Sequence, residues 1–213
     1  MSNTTEKNTS KTAAIQAGTQ TTGKARYLTV IALMAAISYI LAFLEVPMPL
    51  APSFARMDAS DVPALLTAFA LGPVAGTVVE LIKNVLQALS TSTGGIGELA
   101  NFLMGASLVF TAGLIYKQKK TRKMAVVSCV AGSVAMGIMA AIMNYFVLLP
   151  MYQIFMPIDQ VIASFAEVIP FIHTKLDVVL YSALPGNIFK GLIVSVITML
   201  VYKRVSPAMK GMR

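Results

Sequence analysis

Four long apolar stretches dominate the chain between residues 27 and 202, and short polar segments separate them. An α-helix needs roughly 20 apolar residues to cross a hydrocarbon core of about 30 Å, and fewer where the protein buries it locally. The four candidate spans are Tyr27–Glu45, Leu99–Tyr116, Met124–Leu149 and Leu176–Tyr202. The pattern predicts an all-α integral membrane protein.

A fifth apolar stretch, Val62–Leu89, does not fit one simple span. As a single helix its 28 residues would measure about 42 Å, at roughly 1.5 Å per residue. Gly72 and Pro73 lie inside it, and proline removes a backbone hydrogen bond and clashes with the preceding turn. The stretch is therefore either one kinked helix or two short helices joined by a tight turn.

The distribution of basic residues decides between these alternatives. Of the 17 Lys and Arg residues, 13 lie in three short segments, which hold only one of the nine acidic residues, Glu6. These basic residues are Lys7, Lys11, Lys24 and Arg26, then Lys117, Lys119, Lys120, Arg122 and Lys123, then Lys203, Arg204, Lys210 and Arg213. Loops rich in Lys and Arg stay cytoplasmic, so the three segments should share one side of the membrane. Two helices between Val62 and Leu89 achieve this, and we predict six transmembrane helices with both termini cytoplasmic.

This topology divides the chain into three regions. Residues 1–23 are rich in Ser, Thr, Gln and Lys and are predicted to form a disordered cytoplasmic tail. Residues 24–205 form the six-helix membrane domain, and residues 206–213 form a cytoplasmic C-terminal tail. The extracellular segments are Pro47–Asp61, Ser90–Gly97 and Pro150–Lys175. The last of them contains a predicted helix at the membrane surface, Asp159 to Val168.

Composition agrees with this topology and narrows the function classes. The chain is 56% hydrophobic and 12% charged, which is too apolar for a soluble domain. The net charge is +8, and the basic residues flank apolar stretches. The expected counter-charge is therefore membrane lipid with anionic headgroups, and not nucleic acid. The lone His173 has no second ligand nearby, so we expect no metal site. The single Cys129 is expected to serve packing.

Chemical motifs of enzymes are missing from the sequence. Gly94–Glu98 lacks the lysine and Ser/Thr of a phosphate-binding loop. No Ser/His/Asp or Cys/His arrangement is present either. We therefore expect no enzymatic activity and no cofactor. If the protein uses ATP, another chain hydrolyses it.

Polar side chains inside the predicted spans are the candidate functional residues, because each ionisable one costs roughly 2.5–3.5 kcal/mol on insertion. They are Glu80, Lys83, Asn84, Asn101, Asn144, Asn187 and Lys190. Asn101 and Asn144 fall in the outer half of their helices, whereas Lys83 and Lys190 lie near the middle. We expect a polar pocket that opens outward and closes near the midplane. Amides and an ammonium suit a neutral, carbonyl-rich, partly aromatic solute.

The residue pattern leaves the roles of several of these positions open. Glu80 and Lys83 are three apart and can pair, either as a structural ion pair or as part of a site. Asn84 and Asn101 either hydrogen-bond between helices or contact a ligand. For Lys190, the sixth helix offers only the distant Asp177, so we interpret it as an unpaired, ligand-binding lysine beyond a break at Pro185-Gly186.

Two further features have an open interpretation. Phe54 and the prolines around it form either a lid over the pocket or an ordinary loop. Ala32 and Ala36, with Ala35 beside them, make a small-residue strip on the first helix. Such a strip allows close approach of another helix, within the bundle or from a partner.

Several motifs together resemble the riboflavin-specific S components of energy-coupling factor (ECF) transporters, over roughly residues 25–205. They are MDASDVPALL at Met57–Leu66, ALGPVAG at Ala70–Gly76, ELIKN at Glu80–Asn84, GGIGELANF at Gly94–Phe102, NYF at Asn144–Phe146 with Leu149-Pro150, and NIFKG at Asn187–Gly191. The resemblance implies a six-helix vitamin-binding subunit of a prokaryotic plasma membrane. It also implies a partner complex of one transmembrane coupling subunit and two cytoplasmic ATPases.

The resemblance further assigns roles to individual residues. Asn144, Asn187 and Lys190 match the side chains that bind the flavin ring in this family. Ala32 and Ala36 match the motif on the first helix that contacts the coupling subunit. Residues Phe54 to Asp58 occupy the position of the extracellular loop that acts as a gate between helices 1 and 2.

Three other functions stay open at this point. A stand-alone secondary carrier of a vitamin-like solute, driven by protons or sodium, would use Glu80 as its ion site. An S component could also take another flavin or vitamin. A membrane assembly factor without transport would use the Pro150–Lys175 segment as its contact surface.

Overall fold

Seven helices and one short ribbon make up the structure, a computed structural model that describes residues 24–52, 55–91 and 94–210. The first four helices are α1 (Lys24–Leu41), α2 (Asp61–Leu71), α3 (Pro73–Ala88) and α4 (Ile96–Gln118). Helix α5 consists of Arg122–Met143, a π-helical turn at Asn144–Leu148, and Leu149–Tyr152; α6 is Ile158–Ala166; and α7 consists of Lys175–Val178, a π-helical turn at Val179–Ala183, and Leu184–Lys210. Strands β1 (Val46–Pro47) and β2 (Arg56–Met57) pair antiparallel between α1 and α2. The predicted tail, residues 1–23, and Phe54 lie outside the described residues.

The stretch between Val62 and Leu89 forms two helices, α2 and α3, as the charge distribution predicts. Gly72 separates them with φ at 113°, a conformation that glycine adopts without steric cost. Pro73 occupies the first turn of α3, where a missing N–H has no helical partner to lose. The two helices therefore form a tight hairpin instead of one kinked rod.

The bundle has two chemically different ends. Tyr27, Gly72, Tyr116 and Lys120 line one crevice, at what we call the basic end. Glu45, Gln87, Glu98, Tyr152 and Asn187 line a cavity at the other end, which we call the pocket end. Accordingly α1, α3 and α5 run from the basic end to the pocket end, and α2, α4 and α7 run back.

Helix α2 is the centre of the bundle. All its residues from Asp61 to Ala70 are buried, and α3, α4 and α7 pack around it. Glycines let the outer helices approach closely. A Cβ on Gly132 of α5 would lie 2.7 Å from the carbonyl oxygen of Leu108 in α4. Outward faces are apolar instead of polar, as Leu33, Val127 and Leu200 illustrate. Four helices, α1, α4, α5 and α7, are long and apolar enough to cross a membrane.

Two π-helical turns shape the pocket end. The turn Asn144–Leu148 precedes Leu149-Pro150, and the turn Val179–Ala183 precedes Leu184-Pro185. A π turn widens the helix by one residue and absorbs a proline without ending the helix. The expected break at Pro185-Gly186 is therefore wrong, because α7 passes through both residues. Helix α7 also runs to Lys210, into the region predicted as the C-terminal tail.

The segment between α5 and α7 has a small core of its own. Val161 and Phe165 of α6 are buried against Leu149, Ile172 and Val178. The helix predicted at Asp159 to Val168 is present with bounds Ile158–Ala166, and its position at the membrane surface stays a prediction. Cys129 is buried. Among the described residues, no group of three His, Cys, Asp or Glu side chains is placed to hold a metal ion.

Candidate substrate-binding site

A cavity of about 340 Å³ opens at the pocket end. It is bounded by the loop after α1, the facing ends of α3 and α4, the π turn of α5, and the part of α7 that follows its π turn. Four of the candidate polar residues within the predicted spans line it, namely Asn101, Asn144, Asn187 and Lys190. Asp58, at the end of the segment expected to act as the gate and also a candidate for solute binding, lines it too. A volume above roughly 300 Å³ with a few convergent polar groups is typical of a small-molecule site.

The asparagines of the NYF and NIFKG motifs, Asn144 and Asn187, each form a side-chain hydrogen bond to the backbone of their own helix. The side-chain amide of Asn144 donates to the carbonyl oxygen of Ala140 at 2.8 Å. The amide of Asn187 donates to the carbonyl oxygen of Ala183 at 2.8 Å. Each bond joins an asparagine to the residue four positions earlier, beside a π turn. These bonds orient both side-chain amides before any solute arrives.

Lys190 is the buried cation of the pocket wall, whereas Arg56 in the same wall is exposed. Lys190 is not unpaired as predicted. Its ammonium lies 3.2 Å from Oδ2 of Asp61 and 4.0 Å from Oδ2 of Asp58. The side chain is only 6% exposed. Both acids come from the start of α2 and the loop before it, so inspection of α7 alone misses them. The ammonium is thus fixed on its buried side and can donate a further hydrogen bond towards the cavity.

Beneath the pocket lies a second, fully buried ammonium, that of Lys83. It is 2.7 Å from Oδ1 of Asp61 and 2.7 Å from Oε2 of Glu80, and all three side chains are completely buried. Lys83 also donates to the hydroxyl of Ser60 at 2.9 Å. Asp61 therefore lies between the two lysines and pairs with both, and Glu80 supplies the second negative charge. We call Asp61, Glu80, Lys83 and Lys190 the buried ion network.

Asn84 and Asn101 extend this network to the rim of the cavity. The amide of Asn84 donates to the carbonyl oxygen of Glu80 at 2.8 Å, and its Oδ1 accepts from the amide of Asn101 at 3.0 Å. Asn84 is buried between α3 and α4 and does not line the 340 Å³ cavity. Of the two roles considered for these residues, the interhelical hydrogen bond is observed for Asn84, and its contact with a ligand stays a prediction. Asn101 combines an interhelical bond with a place in the cavity wall.

The loop that carries Asp58 is anchored at Ser60. Its N–H donates to Oδ1 of Asp58 at 2.7 Å, and its carbonyl oxygen accepts from the hydroxyl of Ser38 in α1 at 2.7 Å. With the bond from Lys83, this buried serine joins the loop to α1 and α3. Gly105 of α4 permits the close packing here, because a Cβ at that position would lie 2.7 Å from Oε2 of Glu80.

Sequence reasoning assigned Asp61 to an extracellular loop and gave Ser60 no role. The cavity wall also includes Arg56, Gln87 and Glu98, none of which the sequence singled out. A signal for Asp61 exists in the composition of the spans. They contain two buried lysines and one buried acid, Glu80. Because a buried ammonium needs a partner of opposite charge, a second acid is expected from a neighbouring segment of the fold.

The small-residue strip on α1 faces outward. Ala32 and Ala36 are exposed, whereas Ala35 is buried against the bundle. The exposed face also carries Leu33 and Ile40. A flat surface with small side chains lets a second helix approach closely. The strip is therefore available to another chain.

Chemically, the cavity offers a mixture suited to recognition and not to bond cleavage. Two oriented amides supply donors and acceptors, Lys190 supplies a charged donor, and Asp58 supplies an acceptor. The walls between them include Met48, Met104 and Leu148, which suit a flat apolar ring.

Comparison with known proteins adds a sequence and a structural finding. The family model described as the substrate-specific component of ECF transporters matches residues 26–202. The riboflavin transporter RibU of Staphylococcus aureus (strain TCH60) is 38% identical over 184 residues, which cover 86% of this chain and 92% of that protein. The riboflavin transporter FmnP of Bacillus subtilis (strain 168) is 31% identical over 193 residues, which cover 89% and 97%. A solved structure of the S component of a bacterial ECF transporter superposes with a TM-score of 0.68 at 35% identity, covering 88% of this chain and 99% of that chain.

Proposed function

The chain belongs to the substrate-specific components of ECF transporters, and from this premise we propose that it binds riboflavin and is the uptake subunit for that vitamin. Similar proteins in two organisms are named riboflavin transporters. It is a multi-pass membrane protein and not an enzyme. ATP hydrolysis, which the chain has no motif to perform, falls to two cytoplasmic ATPases that act through a transmembrane coupling subunit.

The observation that carries the proposal is the convergence of Asn144, Asn187 and Lys190 on one cavity. They come from two different helices and are 46 positions apart at the extremes. A flavin ring system presents alternating carbonyl, N–H and ring-nitrogen groups along one edge. Two oriented amides and one ammonium complement such an edge with both donors and acceptors.

Flavin binding by the purified chain is the direct test. Riboflavin fluorescence should be quenched on titration with the protein and should saturate at one flavin per chain. Mass spectrometry of the purified protein should identify the flavin that co-purifies. Absence of both quenching and co-purified flavin contradicts the proposal.

We propose that α1, α2, α3, α4, α5 and α7 each cross the membrane, with the basic end cytoplasmic. The alternation of helix direction between the two ends supports this, as does the position of Lys117–Lys123, Lys203 and Arg204 at one end. Helices α2 and α3 are shorter than a full span; α2 is buried within the bundle, whereas α3 exposes an apolar face with Val74, Leu81 and Val85. The pocket end then faces outward.

The orientation predicts the result of a reporter experiment. At Lys120, a reporter that is active only in the cytoplasm should give a signal, and one that is active only outside the cell should not, because Lys120 lies at the basic end. A reporter inserted near Ile154, in the exposed segment after α5, serves as the opposite control. An extracellular signal from position 120 contradicts six crossings.

We propose that the strip of Ala32 and Ala36 contacts the coupling subunit. Ala32→Leu should leave riboflavin affinity unchanged and abolish uptake, because the added side chain projects outward from α1 and away from the cavity. Uptake of labelled riboflavin in cells that also express the coupling subunit and ATPases measures the effect. Ala163→Leu, at an exposed position of α6, is the matched control and should retain uptake. Normal uptake by Ala32→Leu excludes this docking surface.

We also propose that the loop from Pro47 to Asp61 acts as the gate of the cavity. Met48, Ala55 and Asp58 of this loop line the cavity, and Ser60 fixes the end of the loop. Phe54, for which the sequence left a lid and an ordinary loop open, belongs to the same loop.

The geometry does not favour the ion-driven carrier that would use Glu80. This carboxylate is completely buried and lies 2.7 Å from the ammonium of Lys83. It has no place in the wall of the cavity. Its role is that of a structural partner of Lys83, the first of the two alternatives drawn from sequence.

A further inference from the structure

At the basic end, beside the crevice lined by Tyr27 and Gly72, a different cavity of about 510 Å³ opens between α4, α5 and α7. Its walls are mainly apolar and include Phe69, Tyr116, Ala125, Val126 and Met199. We call it the basic-end crevice. No residue that lines the solute cavity contributes to it, so the solute site does not account for it.

Three cations stand at the mouth of the basic-end crevice: Lys120, Arg122 and Lys203. All three are exposed. Within the described ranges, every ion pair closer than 4.0 Å involves Glu45, Asp58, Asp61 or Glu80. None of these acids lines the crevice, so no described residue supplies its counter-charge and its mouth is open to an anionic group from another molecule.

The apolar wall of the crevice continues along the outside of the bundle. On α5, Val126 and Val130 are about half exposed, and on α7 Leu200 is 73% exposed. Tyr116 and Tyr202 line the crevice with their ring centroids 6.2 Å apart, and tyrosine rings are enriched at membrane–water interfaces. A molecule with an anionic head and a long apolar chain would match the cations and this wall at once.

We infer that the basic-end crevice binds an anionic phospholipid. The phosphate lies among Lys120, Arg122 and Lys203, and an acyl chain follows Ala125, Val126 and the exposed face of α5. Basic pockets between transmembrane helices favour anionic headgroups in this way. A free phosphate would leave the apolar wall uncovered. An acidic protein segment would match the cations but would not cover the apolar wall that continues along the outside of the bundle.

The test uses the full chain in nanodiscs of equimolar phosphatidylglycerol and phosphatidylcholine, with native mass spectrometry of the lipids that the released protein retains. The unmodified chain should retain phosphatidylglycerol over phosphatidylcholine by roughly tenfold or more, since several basic side chains act together. The triple variant Lys120→Gln, Arg122→Gln, Lys203→Gln should lose this preference. The matched control Lys119→Gln, Lys123→Gln, Arg204→Gln removes the same charge from the same segments outside the crevice and should keep it.

A second variant tests the apolar half of the site. Ala125→Phe changes no charge but fills part of the crevice, so it should reduce phosphatidylglycerol retention. Equal retention of both lipids by the unmodified chain overturns the inference. Equal losses in the triple variant and its control overturn it too, because the attraction is then a diffuse surface effect. Competition by soluble glycerol 3-phosphate as strong as that by the lipid indicates a simple anion site and also overturns it.

Riboflavin titration of the same preparations separates this inference from the proposed function. Flavin affinity should be unchanged in all variants, since the solute cavity lies at the other end of the bundle. A chain that prefers phosphatidylglycerol but binds no flavin supports the lipid site and refutes the flavin proposal.

Discussion

Replacing Lys83 by methionine is expected to lower the thermal unfolding temperature by roughly 10 °C, because two buried carboxylates lose their shared cation. Lys83 is completely buried and lies 2.7 Å from both Asp61 and Glu80. Removing one partner from a buried ion pair costs about 3–5 kcal/mol, since the remaining charge is left uncompensated. Thermal unfolding of the purified protein in detergent, followed by circular dichroism, measures the change.

A charge-balanced variant provides the control for this prediction. Lys83→Met combined with Glu80→Gln removes one charge of each sign, and Asp61 still has Lys190 at 3.2 Å. The double variant should therefore recover at least half of the lost stability. Lys175→Met, which removes a lysine at the start of α7, should unfold like the unmodified chain. A Lys83→Met protein that unfolds within about 2 °C of the unmodified chain contradicts a stabilising role for the network.

Features that depend on local sequence were predictable. The hairpin at Gly72-Pro73 follows from backbone chemistry at two adjacent residues, combined with the charge of a distant loop. The pairing of Glu80 with Lys83 follows from their spacing within one helix. The apolar stretches locate the long helices for the same reason, since a span needs a minimum length of apolar residues.

Features that depend on packing between helices were not predictable in the same way. Asp61 is 22 positions from Lys83 and 129 positions from Lys190, and only the fold brings its two carboxylate oxygens to both lysines. Its sequence context, after a proline-rich loop, indicated an extracellular position. The roles of Asn84 and Asn101 were undecided because a buried amide serves equally well in a helix contact or a site. Resemblance to a family supplied the cavity residues that spacing alone left open.

The π turns show an intermediate case. Leu149-Pro150 and Leu184-Pro185 were visible in the sequence, and each proline was a reason to expect an interruption. The structure accommodates both prolines by widening the preceding turn. Asn144 is the first residue of one such turn, and Asn187 follows closely after the other. The prolines therefore do not end the helices. They help to place the two amides that line the cavity.

Replacing Lys190 by alanine is expected to weaken riboflavin binding by roughly tenfold or more, equivalent to about 1.4 kcal/mol, while the protein still folds. Its ammonium is the buried charged donor in the cavity wall, and alanine cannot donate a hydrogen bond in its place. Asp61 keeps its 2.7 Å contact with Lys83, so stability should fall much less than in Lys83→Met. Fluorescence titration gives the affinity, thermal unfolding reports stability, and Lys175→Ala on the same helix is the control. Unchanged affinity removes Lys190 from the site. A loss of folding equal to that of Lys83→Met instead assigns Lys190 to the scaffold.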